Sequence, residues 1–233
     1  MRALVLNQPG PVTSLNICEM PEPHPQSGQL RVSVEAVGLN PVDYKLAGRG
    51  NPSWKFPHIL GLDVAGVIDE IGDGVEQWKV GDRIFYHGDL TQPGGFADYA
   101  ITSAHTVAGI PDSVSFTDAA ALPCAGLTAY QGIVRRLNVS ENQTVWIQGG
   151  AGGVGGYGMQ ICKSRKATVI TTCSEKNEEY VKALGADHVI DYQNEDVLVR
   201  IRQITNGRGV DAVQSAVDND TADQGVKGLC FGG

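Results

Sequence analysis

Residues 144 to 156 read Thr-Val-Trp-Ile-Gln-Gly-Gly-Ala-Gly-Gly-Val-Gly-Gly. An apolar strand runs into a glycine-rich turn, and a helix follows from Gly153. Gly150, Gly152 and Gly155 satisfy the pattern GxGxxG. Each glycine has a physical reason in such a turn. Gly150 is expected to permit the tight turn, Gly152 to let backbone approach a pyrophosphate, and Gly155 to let helix pack on strand. Together with Gly153 and Val154 they would present unpaired N–H groups and the positive end of a helix dipole to phosphates. No lysine stands in a GxxxxGK arrangement, so a nucleoside triphosphatase loop is excluded. The same geometry without a ligand would be only a tight strand–helix connection.

The surrounding rhythm supports the ligand reading. Apolar strands at Thr144–Gln148, Ala167–Thr172, His188–Asp191 and Val210–Val217 alternate with helices starting at Gly153, Glu175 and Glu195. One helix between successive strands implies βαβ crossovers and a parallel sheet. Thr117–Leu122 and Leu127–Leu137 are helix candidates separated by Pro123. Earlier in the chain, Leu30–Val37 alternates with period two, and Val64–Ile71 and Arg83–Tyr86 continue as short strands between turn dipeptides. Pro21, Pro23 and Pro25 mark an extended connector. The first half therefore reads as an irregular barrel or sandwich, and the expected domains are 1–120 and 121–233.

The end of the second parallel strand bears on cofactor choice. A site for NADH usually carries an acid there to bind the ribose 2′-hydroxyl. This chain has Cys173 followed by Ser174, Glu175 and Lys176. Ser174 and Lys176 can bond an additional phosphate, which favours NADPH. Glu175 could instead turn to the ribose, and Ser174 could simply cap the next helix. A formal net charge of -8 gives no basic footprint for nucleic acid or anionic membrane. The 5 cysteines include no CxxC, which argues against a disulfide framework or zinc ribbon. No apolar run approaches the roughly 18 residues of a membrane span. A reducing cytoplasmic setting is the expectation.

Gly38-Leu-Asn-Pro-Val-Asp-Tyr-Lys45, Pro57-His-Ile-Leu-Gly-Leu-Asp-Val-Ala-Gly66, Val80-Gly-Asp-Arg83 and Gly94-Gly-Phe-Ala-Asp-Tyr99 are further motifs, joined by Ala119–Pro123, Leu127–Tyr130 and Leu184–Asp187. With the glycine turn, they resemble the medium-chain dehydrogenase/reductase superfamily, most closely its zinc-independent quinone oxidoreductase (zeta-crystallin-like) branch. The resemblance implies an α/β chain with an N-terminal GroES-like domain followed by a Rossmann domain, and an active site in the cleft between them. Zinc alcohol dehydrogenases of the superfamily supply two cysteines and a histidine. The matching positions here are Asn40, Leu62 and Cys124, so a single ligand type survives and no metal is expected.

Without a Lewis acid, the implied reaction is hydride transfer from NADPH to a quinone or an α,β-unsaturated carbonyl. Asn40 and Thr128 would line the nicotinamide end. Tyr44 and Lys45 are candidates to hydrogen-bond the carbonyl oxygen or supply a proton. Tyr86 and His87 could border the substrate pocket, Asp63 would order the loop, and Tyr192 matches a position that contacts the 2′-phosphate in relatives. A small molecule is the expected partner, with a possible homodimer for a full-length form. Four parallel strands are legible where six complete the sheet. Gly225–Phe231 would be the next helix and Gly232-Gly233 the turn into a fifth strand, so the sequence reads as a truncated member. A non-catalytic NADPH-binding or inactive chain and, less favoured, a zinc-type alcohol dehydrogenase remain the alternatives.

Overall fold

The computed structural model describes residues 1–217 and 219–232 and divides into two compact units, Met1–Cys124 and Ala125–Gly233. The first unit is built from β1 (Arg2–Leu6), β2 (Asn16–Glu19), β3 (Gln29–Gly38), α1 (Pro41–Arg49), β4 (His58–Ile59), β5 (Asp63–Ile71), β6 (Arg83–His87), β7 (Tyr99–Ser103), β8 (Ala108–Gly109) and α2 (Phe116–Ala120). Its strands form a three-stranded sheet ordered β2-β1-β4 and a five-stranded sheet ordered β7-β3-β5-β6-β8. The period-two pattern of β3 works as expected at its start: Leu30 and Val32 are fully buried and pack with Val64, Ile68 and Ile84. Further along, register shifts interrupt the pairing of β3 with β5. Gly66 sits opposite, where a Cβ would lie 2.1 Å from the Ser33 carbonyl oxygen.

That sheet brings three chain ends together. Gly38 closes β3 opposite Asp63, which opens β5, and Asp63 in turn pairs directly with His87, the last residue of β6. Gly38 also lets α2 approach, because a Cβ there would stand 2.3 Å from the Ala120 carbonyl oxygen. His58 lies in the neighbouring β4, stacked on Trp54 with ring centroids 3.9 Å apart. Burial pushes its imidazole down to about 4, so it is a neutral core residue at physiological pH.

The chain enters the second unit within α3 (Pro123–Tyr130), which continues as a π-helical turn over Gln131–Arg136. As expected, two helices meet at Pro123: α2 ends at Ala120, and Pro123 itself opens α3, consistent with its fixed φ and absent N–H at the first helical position. The wider turn places Gly132 against the Gln214 amide, where a Cβ would come within 2.5 Å of Nε2.

The rest comprises β9 (Thr144–Ile147), α4 (Gly153–Ser164), β10 (Thr168–Cys173), a 3-10 turn at Glu175–Asn177, α5 (Glu178–Ala183), β11 (His188–Asp191), α6 (Val197–Ile204), β12 (Ala212–Gln214) and α7 (Asn219–Gly228). The four strands are parallel in the order β11-β10-β9-β12. Both faces are buried. Val145 and Ile147 join a core with Met159 and Val169, while Trp146 joins one with Ile170, Ile190 and Ile201. Near-continuous apolar strands are what a parallel sheet covered on both faces demands.

Several expected boundaries move. β9, β10 and the helix expected from Glu195 shift by one or two residues, β12 is shorter than Val210–Val217, the helix expected from Glu175 begins as a 3-10 turn, and the helix expected at Gly225–Phe231 is α7, ending at Gly228. Leu229 then forms an isolated parallel bridge with Val210, so extended pairing replaces helix there. Of the Gly232-Gly233 pair, Gly232 has φ +83°; Gly233 lies outside the described residues.

Candidate functional site

In the first unit the convergence of β3, β5 and β6 creates a buried carboxylate with three donors. Asp63 is 1% exposed. Its Oδ2 accepts from Asn40 Nδ2 and from the Cys124 backbone N–H, each at 2.9 Å. Its Oδ1 lies 2.6 Å from His87 Nδ1. Because an ionised carboxylate only accepts, the contacting nitrogens of Asn40 and His87 carry the hydrogens. Asn40 caps α1, and its backbone N–H donates to Asp43 Oδ2 at 2.8 Å. Asp43 is buried too, and burial, reinforced by the nearby Asp63 charge, pushes its carboxyl above the usual range. Asp63 thus does order this region, as its position in the sequence suggested, and Asn40 and His87 are drawn into one network with it.

Tyr44 and Lys45 stand on the exposed face of α1, away from its buried residues Asp43, Leu46 and Ala47. No hydrogen bond links either to Asp63. Tyr86 is only 4% exposed and packs in the sheet core, where burial pushes its phenol up, yet it also contributes to a cavity of the first unit. His87 is half-buried and lines a cavity of about 630 Å³ within the first unit, together with His24, Tyr99 and His105. Thr128 is exposed in the middle of α3, so it does not cap that helix.

A zinc ion at this position would need ligands that are free to coordinate it. Leu62 is buried among Leu6, Leu46 and Leu60, and Asn40 spends its amide N–H on Asp63. Asp63, His87 and Cys124 do bring one potential ligand atom each within 4.8 Å of one another. However, tetrahedral zinc bonds of about 2.0–2.1 Å separate two ligands by roughly 3.3 Å, and His87 and Asp63 stand at hydrogen-bond distance instead. Burial raises the Cys124 thiol, with the Asp63 and Asp43 charges adding to the effect, so the thiolate a metal needs is disfavoured. Cys124 is also only partly buried. This donor set is committed to hydrogen bonds within the protein and does not fit zinc.

In the second unit the glycine turn joins β9 to α4. The residue with left-handed backbone is Gly149, at φ +69°, and not Gly150. Gly150 is required for a different reason: a Cβ on it would stand 2.1 Å from Thr171 Oγ1 on β10. Gly152 is the N-cap of α4 and Gly153 its first residue. A Cβ on Gly155 would lie 2.3 Å from the Gly149 carbonyl oxygen. Glycines inside a helix each cost roughly 0.5–1 kcal/mol relative to alanine; Gly155, Gly156 and Gly158 are buried, and the close approach of the Gly149 carbonyl to Gly155 and of the Gln214 amide to Gly158 is what a side chain there would block. The first N–H groups of α4, including those of Gly153, Val154 and Gly155, have no partner within the helix. An anion is the natural occupant of such a cradle, so the residues fit a dinucleotide pyrophosphate.

Tyr192 is exposed and lines a cavity of about 700 Å³ with Gly149, Thr172 and Val217. Glu195 and Asp196 line it as well, but both are committed: Glu195 pairs with Arg200 at 2.8 Å, and Asp196 caps α6 through the Val199 N–H. Ser174 and Lys176 do not line this cavity. Ser174 occupies the N-cap of the 3-10 turn and its hydroxyl accepts from Asn177 Nδ2 at 3.2 Å; Lys176 is exposed. Cys173 closes β10 where an NADH site would place an acid.

Comparison with known proteins places both units. Residues 26–112 match the alcohol dehydrogenase GroES-like domain, and residues 153–233 match the family described as zinc-binding dehydrogenase. A chloroplast envelope quinone oxidoreductase homolog of Arabidopsis thaliana is 37% identical over 202 residues, covering 83% of this chain and 61% of its own. A trans-enoyl reductase of Aspergillus terreus is 33% identical, covering 89% of this chain and 74% of its own. A mycobacterial protein solved in complex with NADPH superposes with a TM-score of 0.89 at 31% identity, covering 99% of this chain and 71% of that one. The chain thus spans about three fifths of the length of the Arabidopsis relative.

Proposed function

Since this chain belongs to the medium-chain dehydrogenase/reductase superfamily, we propose that it is the core of an NADPH-dependent, zinc-independent reductase of quinones or α,β-unsaturated carbonyls. The observation that carries this reading is the fate of the zinc-ligand positions. Asn40 is hydrogen-bonded to a carboxylate, Leu62 is packed in an apolar core, and Cys124 is held toward its thiol form. An alcohol would have no Lewis acid to lower its pKa, whereas a conjugated carbonyl needs only a hydride and a proton. Bound NADPH supplies the hydride.

The chain's own residues do the rest. The Gly150–Gly155 turn binds the pyrophosphate, Tyr192 borders the cavity at the strand ends, and Ser174 and Lys176 select the 2′-phosphate. Asn40 and Thr128 border the nicotinamide. Tyr44 or Lys45, as exposed side chains, contact the acceptor oxygen in this reading.

The test is NADPH oxidation with 1,4-benzoquinone and 2-cyclohexen-1-one before and after exhaustive dialysis against a chelator. The expected rates are the same in both preparations. Loss of turnover on chelation, with recovery on adding zinc, would refute the metal-free reading.

A further inference from the structure

Trp146 and Gln148 stand two residues apart at the end of β9 and so point to the same face of the sheet, the one that α7 covers. The helix meets them with glycines. A Cβ on Gly228 would lie 3.0 Å from the Trp146 ring, and one on Gly225 would lie 3.5 Å from Gln148 Oε1. Gln148 is fully buried and directly precedes the glycine turn. Its Nε2–H donates to the Thr221 carbonyl oxygen in the first turn of α7 at 2.7 Å, while its Oε1 is buried without a partner among the described residues. A lone buried acceptor is costly, so the amide is a poor choice for packing alone. What it gains is a hold on α7.

The part held is the wall of a cavity. Thr221 and Gln224 line the space of about 700 Å³ with Gly149, Thr172, Tyr192 and Val217, residues at the C-terminal ends of the four parallel strands. Ligands of open α/β sheets bind outside those ends. Val217 also leans on the turn, its Cγ2 lying 2.9 Å from where a Cβ on Gly149 would stand. The Gln148 backbone N–H donates to the Gln214 carbonyl oxygen at 3.0 Å, so one residue ties the turn to both β12 and α7.

Resting on the reading of the glycine turn as a dinucleotide cradle, we infer that Gln148 is a positioning residue for the cofactor. By tethering Thr221 it keeps the first turn of α7 in place as the cavity wall before any nucleotide arrives. The residue touches no reacting atom and acts through Thr221, Gln224 and Val217. Without the tether the wall is in place for only a fraction of the time, and the apparent Kd rises by the inverse of that fraction. The loaded chain keeps its turnover, because bound cofactor selects the same wall.

Gln148→Met tests this, since it keeps the length of the side chain and removes the donor together with the lone oxygen. The two losses offset one another, so the melting temperature of the nucleotide-free chain should stay within about 3 °C of wild type. The Kd for NADPH, measured by calorimetry, should rise about tenfold, as for a wall in place about one tenth of the time. With 1,4-benzoquinone the KM for NADPH should rise in step while kcat changes by less than about twofold, the mark of a residue that acts on binding. In the nucleotide-free chain, hydrogen exchange of the Gln224 and Gly225 amides should speed up, and saturating NADPH should restore wild-type protection. Gln148→Asn, whose amide is one carbon too short to reach Thr221, should show the same loss of affinity. A wild-type Kd in both variants would overturn the inference, as would α7 amides that already exchange freely in the nucleotide-free wild type. A loss of affinity matched by a large fall in melting temperature would reduce Gln148 to a core residue and overturn it too. Each of these results leaves the cradle reading standing, whereas a wild-type chain that binds no NADPH overturns both.

Discussion

Gly155→Val is expected to abolish the stabilisation of the chain by NADPH and to lower its own melting temperature by about 2–12 °C. The new Cβ would lie 2.3 Å from the Gly149 carbonyl oxygen and 2.8 Å from Gly150 Cα. Both are backbone atoms of the turn, so no flexible side chain can move aside. Either α4 shifts away from β9 or the turn opens, and both spoil the N–H cradle. Overpacking of this kind costs typically 1–3 kcal/mol, and each kcal/mol is worth about 2–4 °C in a chain of this size. Gly48→Ala is the control: nothing lies within 4 Å of a Cβ there, and the residue sits inside α1. That change should be neutral or slightly stabilising, and nucleotide binding should not respond. Thermal melts with and without NADPH check both. A Gly155→Val chain that still binds NADPH with wild-type affinity would contradict the cradle assignment.

The second large effect concerns Asp63. Replacing it by alanine strands the Asn40 amide, the His87 ring nitrogen and the Cys124 N–H. An unsatisfied buried donor costs about 1–3 kcal/mol, and partial hydration through the cavity beside His87 offsets some of the sum. A loss of about 3 kcal/mol is expected in urea unfolding of Asp63→Ala. Asp63→Asn should lose less, since its amide oxygen can still accept while its NH₂ meets one donor unfavourably. Reductase turnover should collapse in both variants, because Asn40 loses its anchor. If Asp63→Ala unfolds within 0.5 kcal/mol of wild type, on the order of an ordinary surface substitution, the network is not holding the region together.

The parallel-sheet half was legible because its signals are local. An apolar strand, a glycine turn and a helix follow one another within thirteen residues from Thr144 to Gly156. Even there, the division of labour among the glycines was not readable, because the glycine rule does not reveal which residue takes positive φ. Gly149 takes the left-handed conformation, and Gly150 is needed only because β10 brings Thr171 against it. Pro123 has two local meanings, helix breaker and helix starter, and the chain uses both: α2 ends at Ala120 and α3 starts at Pro123 itself.

The network in the first unit is non-local and was correspondingly obscure. His87 lies 24 residues from Asp63 and Asn40 lies 23 away on the other side. Their meeting depends on sheet register, including the irregular pairing of β3 with β5. One signal was available: His87 ends a strand that starts just after a glycine turn. Tyr44 and Lys45 follow Asn40 closely in sequence, and spacing alone does not show that helical geometry puts Asp43 inward and those two outward.

The most direct test of the account is a thermal melt of this chain with no nucleotide, with NADPH and with NADH. A ligand that binds only the folded state stabilises it by RT ln(1 + [L]/Kd), about 2.7 kcal/mol at 100-fold over Kd. The account predicts a cooperative transition raised by several degrees by NADPH and much less by NADH, with the difference removed in Lys176→Ala. A cooperative transition that neither nucleotide moves would contradict it.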